Sequence, residues 1–290
     1  MNSFSYNIPG KWILAGEHAV LRGCEALVFP LGSKYLNFLY IKSNADFTLK
    51  LIGENSSDLE MIIWSVFEKS LNEVHIKRSD LKGELTITSH IAFGAGMGAS
   101  ATLAVGIAEF FKRINILQTD LFQFAKKIED LFHGESSGVD IAVALYQKPL
   151  LYQRGEMIVP LENIILPNLY LSHCSVRGVT KDCVTKVKKL FETNPLFAKE
   201  IDLKMSESVG MFKNILKSKD LPTWVKAMNL SQSCFESWGL VPVEAQNHID
   251  SLKRSGALAC KMTGSGGGGY VLSLWQDHPP AELKNILIKV

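Results

Sequence analysis

Between Leu85 and Ala108 the chain carries no Asp, Glu, Lys or Arg. A run of that length is either a bilayer-spanning helix or a pair of buried elements about a turn. Its middle decides between them. Gly94, Gly96 and Gly98 interrupt it, with Ser89 and His90 before and Ser100 and Thr102 after. Each apolar half is then too short to span a membrane, and the stretch reads as strand, glycine loop and helix in an aqueous protein. Residues 85–88 are the strand candidate and 99–114 the helix.

Composition bounds the rest. The 290 residues suggest about two domains, long enough to bury a core without disulfide or metal staples. A net charge of +2 supplies no general attraction to nucleic acid or an anionic membrane. Lys181, Lys186, Lys188 and Lys189 lack interleaved aromatic residues and read as one solvated helix face. Cys24, Cys174, Cys183, Cys234 and Cys260 form no C-x-x-C pair, which excludes zinc-ribbon and thioredoxin motifs. An odd, scattered set fits a reducing cytoplasm. The first ten residues lack the basic and apolar regions of a signal peptide.

Periodicity places further elements. Residues 27–41 read as strand, interrupted near Pro30 and Gly32, and 57–71 as a helix with Leu59, Ile62, Ile63, Val66, Phe67 and Leu71 on its apolar face. A helix is expected over 120–132, capped by Thr119 and ended by Gly134. Residues 142–160 read as strand–turn–strand and 160–167 as the junction between domains 1–160 and 161–290. A buried strand at 169–173, helices over 180–250 and two strands within 258–274 complete the reading. Strands and helices without strict alternation indicate an α+β class.

Three glycine-bearing segments and two carboxylates carry chemistry. In the first, Gly94, Gly96, Gly98, Ala99 and Ser100 lead from a strand into a helix of small residues. Glycines let main chain approach a ligand, and the N–H groups at a helix start favour an anion such as phosphate. The same pattern suits a close-packed helix entry. No Lys follows, as a Walker A loop requires. A second helix comes next rather than an acid-tipped strand, so the G-x-G-x-x-A spacing does not make a Rossmann site. Ser100 is placed to ligate a magnesium ion or to cap the helix.

The second segment runs from Lys261 through Thr263 to Gly264, Gly266, Gly267, Gly268 and Gly269. A tight turn needs one or two glycines, and more than that reads as close approach of main chain to a ligand. The third, Pro9 to His18, sets Lys11 in an apolar stretch. Lys11 is either a snorkelling surface cation or a stabiliser of charge at a reacting oxygen, and His18 serves equally well as a core histidine. Glu129, beside Lys126 and Lys127, reads as a helix surface charge. Asp140 opens an apolar segment, so it is expected to be buried and to need a partner. His133 and Glu135 form H-x-E without the cysteine pair of a zinc deaminase, and there is no H-E-x-x-H.

Together these segments resemble the GHMP superfamily of small-molecule kinases, and within it the mevalonate kinases most. The first motif of that family is similar to Pro9–Val20, and its G-L-G-S-S-A to Gly96-Met97-Gly98-Ala99-Ser100-Ala101. Its H-G-x-P-S-G-x-D is similar to His133–Asp140, and its K-L-T-G-A-G-G-G-G to Lys261–Gly269. The four occur in family order. Ala99 stands for a family Ser and Ser136 for a family Pro, Trp12 is bulkier than usual, and the short span between the first two motifs implies a small adenine-side lid.

The resemblance implies a two-domain α+β GHMP kinase fold. Its halves would be an N-terminal ribosomal-protein-S5-like, ATP-binding domain and a C-terminal ferredoxin-like domain. It implies ATP and Mg²⁺ as cofactors and phosphorylation of the primary hydroxyl of mevalonate, or a like hydroxy acid. The enzyme would be cytoplasmic, a monomer or homodimer, with no nucleic-acid or membrane partner. Asp140 would take the hydroxyl proton and Lys11 would stabilise the oxyanion. Gly94, Gly96, Met97, Gly98, Ala99, Ser100, Ala101, Gly264, Gly266 and Gly267 would meet the nucleotide, with Ser100 and Glu129 on the metal. Glu17, His18, Thr180, Thr263 and Gly264 would lie near the acceptor. Two rival readings remain. Phosphomevalonate, with its extra charge, would need cations such as Arg22, Arg177 or Lys181. A silent nucleotide-binding regulator would have lost Lys11, Ser100, Glu129 or Asp140, and all four are present.

Overall fold

The computed structural model describes residues 3–53, 56–91, 96–133 and 136–290, with backbone only at 56–59, 62 and 131–133. In chain order the elements are β1 (Phe4–Ala15), β2 (Glu25–Asp46), β3 (Thr48–Ile52), α1 (Ser56–Glu73), β4 (Lys82–Ser89), α2 (Ala99–Arg113), α3 (Leu121–His133) and α4 (Val139–Tyr146). There follow β5 (Leu150–Gln153), β6 (Met157–Pro160), β7 (Asn168–His173), α5 (Thr180–Thr193), α6 (Pro195–Ile215), α7 (Leu221–Ser237), α8 (Val243–Arg254), β8 (Ala259–Thr263), β9 (Tyr270–Trp275) and β10 (Ile288–Lys289). Two units divide the chain. Among the described residues, the first holds 3–11, 30–53, 56–91, 97–133 and 136–147, and the second 12–29, 96 and 148–290. The chain passes for the last time from the first to the second at Gln147–Lys148.

In the first unit β4 runs antiparallel to β2, from Leu36↔Ser89 to Ile41↔Glu84, and parallel to β3, from Thr48↔Glu84 to Ile52↔Thr88. The absence of charge from 85 to 108 now has a cause. Leu85 and Ile87 of β4 are fully buried, and α2 buries Ala101, Leu103, Ala104, Ile107, Ala108, Phe110 and Phe111 on nearly every side. A charge at any of these positions would have to be desolvated without a partner. Helix α2 packs on α3 and α4. Phe47, Phe67, Phe110 and Phe111 form one aromatic cluster beneath the sheet, Phe47 and Phe67 stacked at 5.2 Å.

In the second unit the first residues of β2 pair with β5, and β5 with β6. A separate antiparallel sheet has the order β10-β7-β9-β8. Helices α5–α8 connect β7 to β8, and α7 and α8 pack on β8. This is the strand–helix–strand–strand–helix–strand plan of a ferredoxin-like domain, its second crossover reduced to a 3₁₀ turn at Ala281–Leu283. The α+β class is as the sequence led us to expect.

Three local expectations are corrected. Residues 139–146 form helix α4, not the first strand of a hairpin, so Asp140 lies in a helix's first turn. A short apolar run has no period that separates buried strand from buried helix. Helix α3 is capped by Asp120, whose Oδ1 accepts from Gln123 N at 2.9 Å, rather than by Thr119. Strand β2 continues through Pro30 and Gly32. Its register with β5 ends at Val28 and that with β4 begins at Leu36, so Pro30 lies outside both of these ladders. The cap expected at Gly134 lies outside the described residues. Among the described residues no helix is long and apolar enough to cross a membrane.

Gly106 offers a test of this packing. The Tyr6 hydroxyl donates to Gly106 O at 2.8 Å, and Tyr6 stacks on fully buried Phe38 at 5.1 Å. A Cβ at Gly106 would meet Phe38 Cζ at 1.9 Å. Gly106→Ala should therefore lower unfolding stability by about 1–3 kcal/mol through overpacking, despite alanine's better helix propensity. Urea denaturation of the two proteins measures this, and a variant as stable as the parent would contradict the packing.

Candidate active site

One corner of the first unit gathers the catalytic candidates. Lys11, on β1, is buried, and its Nζ lies 3.1 Å from Asp140 Oδ1. Two hydrogen bonds, one of them from a side chain, hold β1 against the start of α2. Lys11 N donates to Met97 O at 3.0 Å, and Thr102 Oγ1 to Pro9 O at 3.3 Å. Gly98 caps α2 with φ of 74°, and a Cβ there would lie 2.8 Å from Lys11 Cγ. Glycine at this position is what lets the lysine lie along the helix start. Gly138, with φ of 82°, turns the chain into α4, so Asp140 sits in a first turn, where the helix dipole favours a carboxylate.

The glycine segment presents main chain rather than side chains. Met97, Ala99 and Ala101 are buried, whereas Gly96 is exposed with φ of 83°. The first α2 bond runs from Thr102 N to Gly98 O at 2.9 Å, so the N–H groups of Ala99, Ser100 and Ala101 precede the helix's own ladder. Such a start binds anions. Gly94 lies outside the described residues.

Glu129, on α3, is 3% exposed, and its Oε2 has no hydrogen-bond partner among the described residues. Burial, and then the negative charge of Asp140, push its carboxyl up to about 8, with Lys11 pulling the other way. A buried, under-satisfied carboxylate beside a second carboxylate fits a cation. Ser100, half-buried in the first turn of α2, adds a hydroxyl oxygen. Among the described residues no group of three or more His, Cys, Asp or Glu is arranged for a metal. Magnesium does not need one, since one or two protein oxygens with substrate phosphates and water complete its shell.

The remaining candidates belong to the second unit, where most are engaged with their own chain. Glu17 Oε1 lies 2.7 Å from Lys261 Nζ, at 1% and 0% exposure. Thr263 Oγ1 accepts from Ile13 N at 3.1 Å and donates to Ile13 O at 2.8 Å. His18 Nε2 donates to Ser265 O at 2.8 Å, and Thr180 Oγ1 lies 3.2 Å from Ser265 Oγ. The loop glycines 264, 266, 267, 268 and 269 all have positive φ. The close approach they permit is partly to the unit itself. A Cβ at Gly266 would lie 2.9 Å from Leu240 Cβ, at Gly267 2.7 Å from Cys183 Sγ, and at Gly268 2.6 Å from Val176 O. Sequence reasoning left Lys261 and Ser265 out of the site. A lone lysine inside the apolar strand β8 was the available signal, because a buried ammonium requires an acid.

Residues 61–148 match the family model for the GHMP kinases N terminal domain, and residues 211–289 that for the GHMP kinases C terminal domain, together more than half of the chain. The mevalonate kinase of Pyrococcus horikoshii is 27% identical over 294 residues, covering 92% of this chain and 87% of that one. The crystal structure of L. major mevalonate kinase in complex with R-mevalonate is similar with a TM-score of 0.77 at 21% identity, over 98% of this chain and 89% of that one. Streptococcus pneumoniae phosphomevalonate kinase, in complex with phosphomevalonate and AMPPNP, gives 0.73 at 17% identity over 95% and 93%. The two structural likenesses are likenesses of fold.

The raised Glu129 carboxyl has a consequence for stability. Its ordinary value is 4.5, and in the folded protein it is about 8. Between these values the native state binds more proton than the unfolded chain. Its contribution is therefore full below the ordinary value and is lost as pH rises through the folded one. In metal-free buffer, Glu129→Gln should flatten the decline in unfolding free energy between about pH 5 and pH 9. Denaturant titrations across that range test it, and equal slopes for parent and variant would refute it.

Proposed function

This chain belongs to the GHMP kinases and is an ATP-dependent phosphotransferase, and we propose that its acceptor is the primary hydroxyl of mevalonate, giving 5-phosphomevalonate. The observation that carries the reading is the Lys11–Asp140 pair at 3.1 Å beside the anion-binding start of α2. Phosphoryl transfer asks little covalent chemistry of the protein and much positioning and charge stabilisation. A neutral alcohol is a weak nucleophile, so a carboxylate must orient it and accept its proton. Asp140 does this. It is the partly exposed member of the pair, with 24% of its side chain accessible against 7% for Lys11. Lys11 stabilises the negative charge that develops on the acceptor oxygen as the proton leaves.

The N–H groups of Ala99, Ser100 and Ala101 receive phosphate oxygens, with Gly96 and Gly98 keeping that approach open. Mg²⁺, held by Glu129 and Ser100, supplies neutralisation of charge on the ATP phosphates when bound. Glu129 must then lose its proton, which the cation favours. The glycine loop of the second unit is carried in this reading as a nucleotide contact.

One of the cations that a phosphorylated acceptor would call for is already engaged. A second phosphate calls for further cations, and Arg22 was a candidate. Arg22 is committed instead to Asp202, through Nε at 2.5 Å and a second nitrogen at 2.6 Å, with its guanidinium 4.2 Å from the Phe191 ring centre. The reading further includes a monomer or homodimer, and a cytoplasmic location with which five free thiols agree.

ADP release with Mg-ATP tests the proposal on mevalonate, phosphomevalonate and homoserine. Turnover should favour mevalonate by about a hundredfold or more in kcat/KM. Asp140→Asn should lower kcat by roughly 10²- to 10⁴-fold, and Lys11→Met by roughly 10²- to 10³-fold. Preference for another alcohol would replace the acceptor but keep the roles. Undiminished turnover by Asp140→Asn would remove it from the chemistry.

A further inference from the structure

The segment Glu17–His18–Ala19 has a conformation that side chains avoid. Ala19 N donates to Glu17 O at 2.6 Å, and His18 between them has φ of 56° and ψ of −46°. An i to i+2 bond about a residue with positive φ and negative ψ is a γ-turn of the rare, strained hand. A non-glycine residue persists there only when its surroundings over-determine it. The surroundings can be named. On one side of the turn, the Glu17 carboxylate meets the Lys261 ammonium at 2.7 Å, and the lysine also lies 5.4 Å from the Phe235 ring centre. On the other, Arg22 is locked to Asp202. The His18 ring, 5.1 Å from that of Trp238, points its Nε2 at Ser265 O. A carbonyl can only accept, so Nε2 carries the proton. Burial pushes the imidazolium down to about 4, so the ring is neutral at pH 7.

Residues 261, 263 and 265 therefore grip residues 17, 13 and 18, and the last of these contacts falls inside the glycine loop. Most of that loop has no side chain with which to define its own shape. We propose that the buried Lys261–Glu17 ion pair is a positioning device: it holds the strained turn at His18 against Ser265 and so sets the main-chain shape of the loop Gly264–Gly269. The role differs from the acceptor contact that the family resemblance implied for Glu17. Loop shape matters to phosphoryl transfer only if the kinase reading above holds, but the clamp itself does not depend on it.

The test uses the full chain as Glu17→Gln, Lys261→Met and the double variant, each checked for folding by circular dichroism and melting temperature. A single substitution strands a buried charge and can cost the fold. The double variant removes both charges with little change of volume and keeps the question answerable. Amide hydrogen exchange, without substrates, should be at least about tenfold faster over Gly264–Gly269 in the folded double variant, with α2 of the first unit unchanged. With mevalonate and Mg-ATP its kcat should fall about tenfold or more, with the acceptor KM within about threefold. Wild-type loop exchange in the folded double variant would overturn the clamp. So would Glu17→Gln raising acceptor KM about tenfold at unchanged kcat, the signature of a direct substrate contact. Faster loop exchange in variants of a protein that turns over no mevalonate would sustain the clamp and overturn the substrate reading alone.

Discussion

One ammonium group serves two carboxylates in the first unit. Lys11 pairs with Asp140 at 3.1 Å, and Glu129 lies within electrostatic reach of both. Such a corner is short of positive charge, and burial makes the shortage expensive. Much of the neighbouring geometry follows from tolerating it. Gly98 omits the Cβ that would strike the lysine stem, β1 is bonded to Met97 so that the ammonium cannot drift, and Gly138 turns the chain so that Asp140 enters at a helix start. In the function proposed above, a divalent cation would supply the positive charge this corner lacks. A kinase needs a site of this kind, since transfer is governed by placement and charge.

The second unit meets a different constraint by related means. A loop of glycines is free to approach its neighbours and equally free to lose its shape. Its conformation is imposed from outside, through hydrogen bonds to Leu240 O and Val176 O and through His18 at Ser265. Strain at His18 and the cost of burying Glu17 with Lys261 are both borne locally by these contacts. The glycines thus have two uses. Some avoid clashes with the unit's own helices, as at Gly266 and Gly267, and all adopt positive φ, which other residues rarely take up.

Much of this was legible in the chain. The charge-free run from 85 to 108 predicted strand, loop and helix, and they are β4 and α2. Spacing of apolar residues located α1 and α3, and the glycines between 264 and 269 marked the connection from β8 to β9. Lys11, Ser100 and Asp140 stood out through the four ordered motifs and Glu129 only through what the family resemblance implied, and the structure brings Lys11, Glu129 and Asp140 within mutual reach. The misreadings share a cause. Residues 141–146 are apolar throughout, and an unbroken apolar run has no periodicity with which to choose helix over strand. Pro30 suggested a break, but a proline interrupts a strand only where a ladder needs its N–H, and pairing is a property of neighbouring strands.

Local rules act over a few residues, and so the sequence alone determined the class of fold, the glycine turns and the identity of the charged groups. Which charges meet is another matter. Lys11 and Glu129 each read equally well as surface residues until strands and helices packed around them. Glu17 and Lys261, or Ile13 and Thr263, lie at opposite ends of the chain and become partners only when β8 is laid beside the end of β1. The tertiary structure decided those pairings because burial makes an unpartnered charge or carbonyl intolerable, and the partner that relieves it is the one the packing delivers.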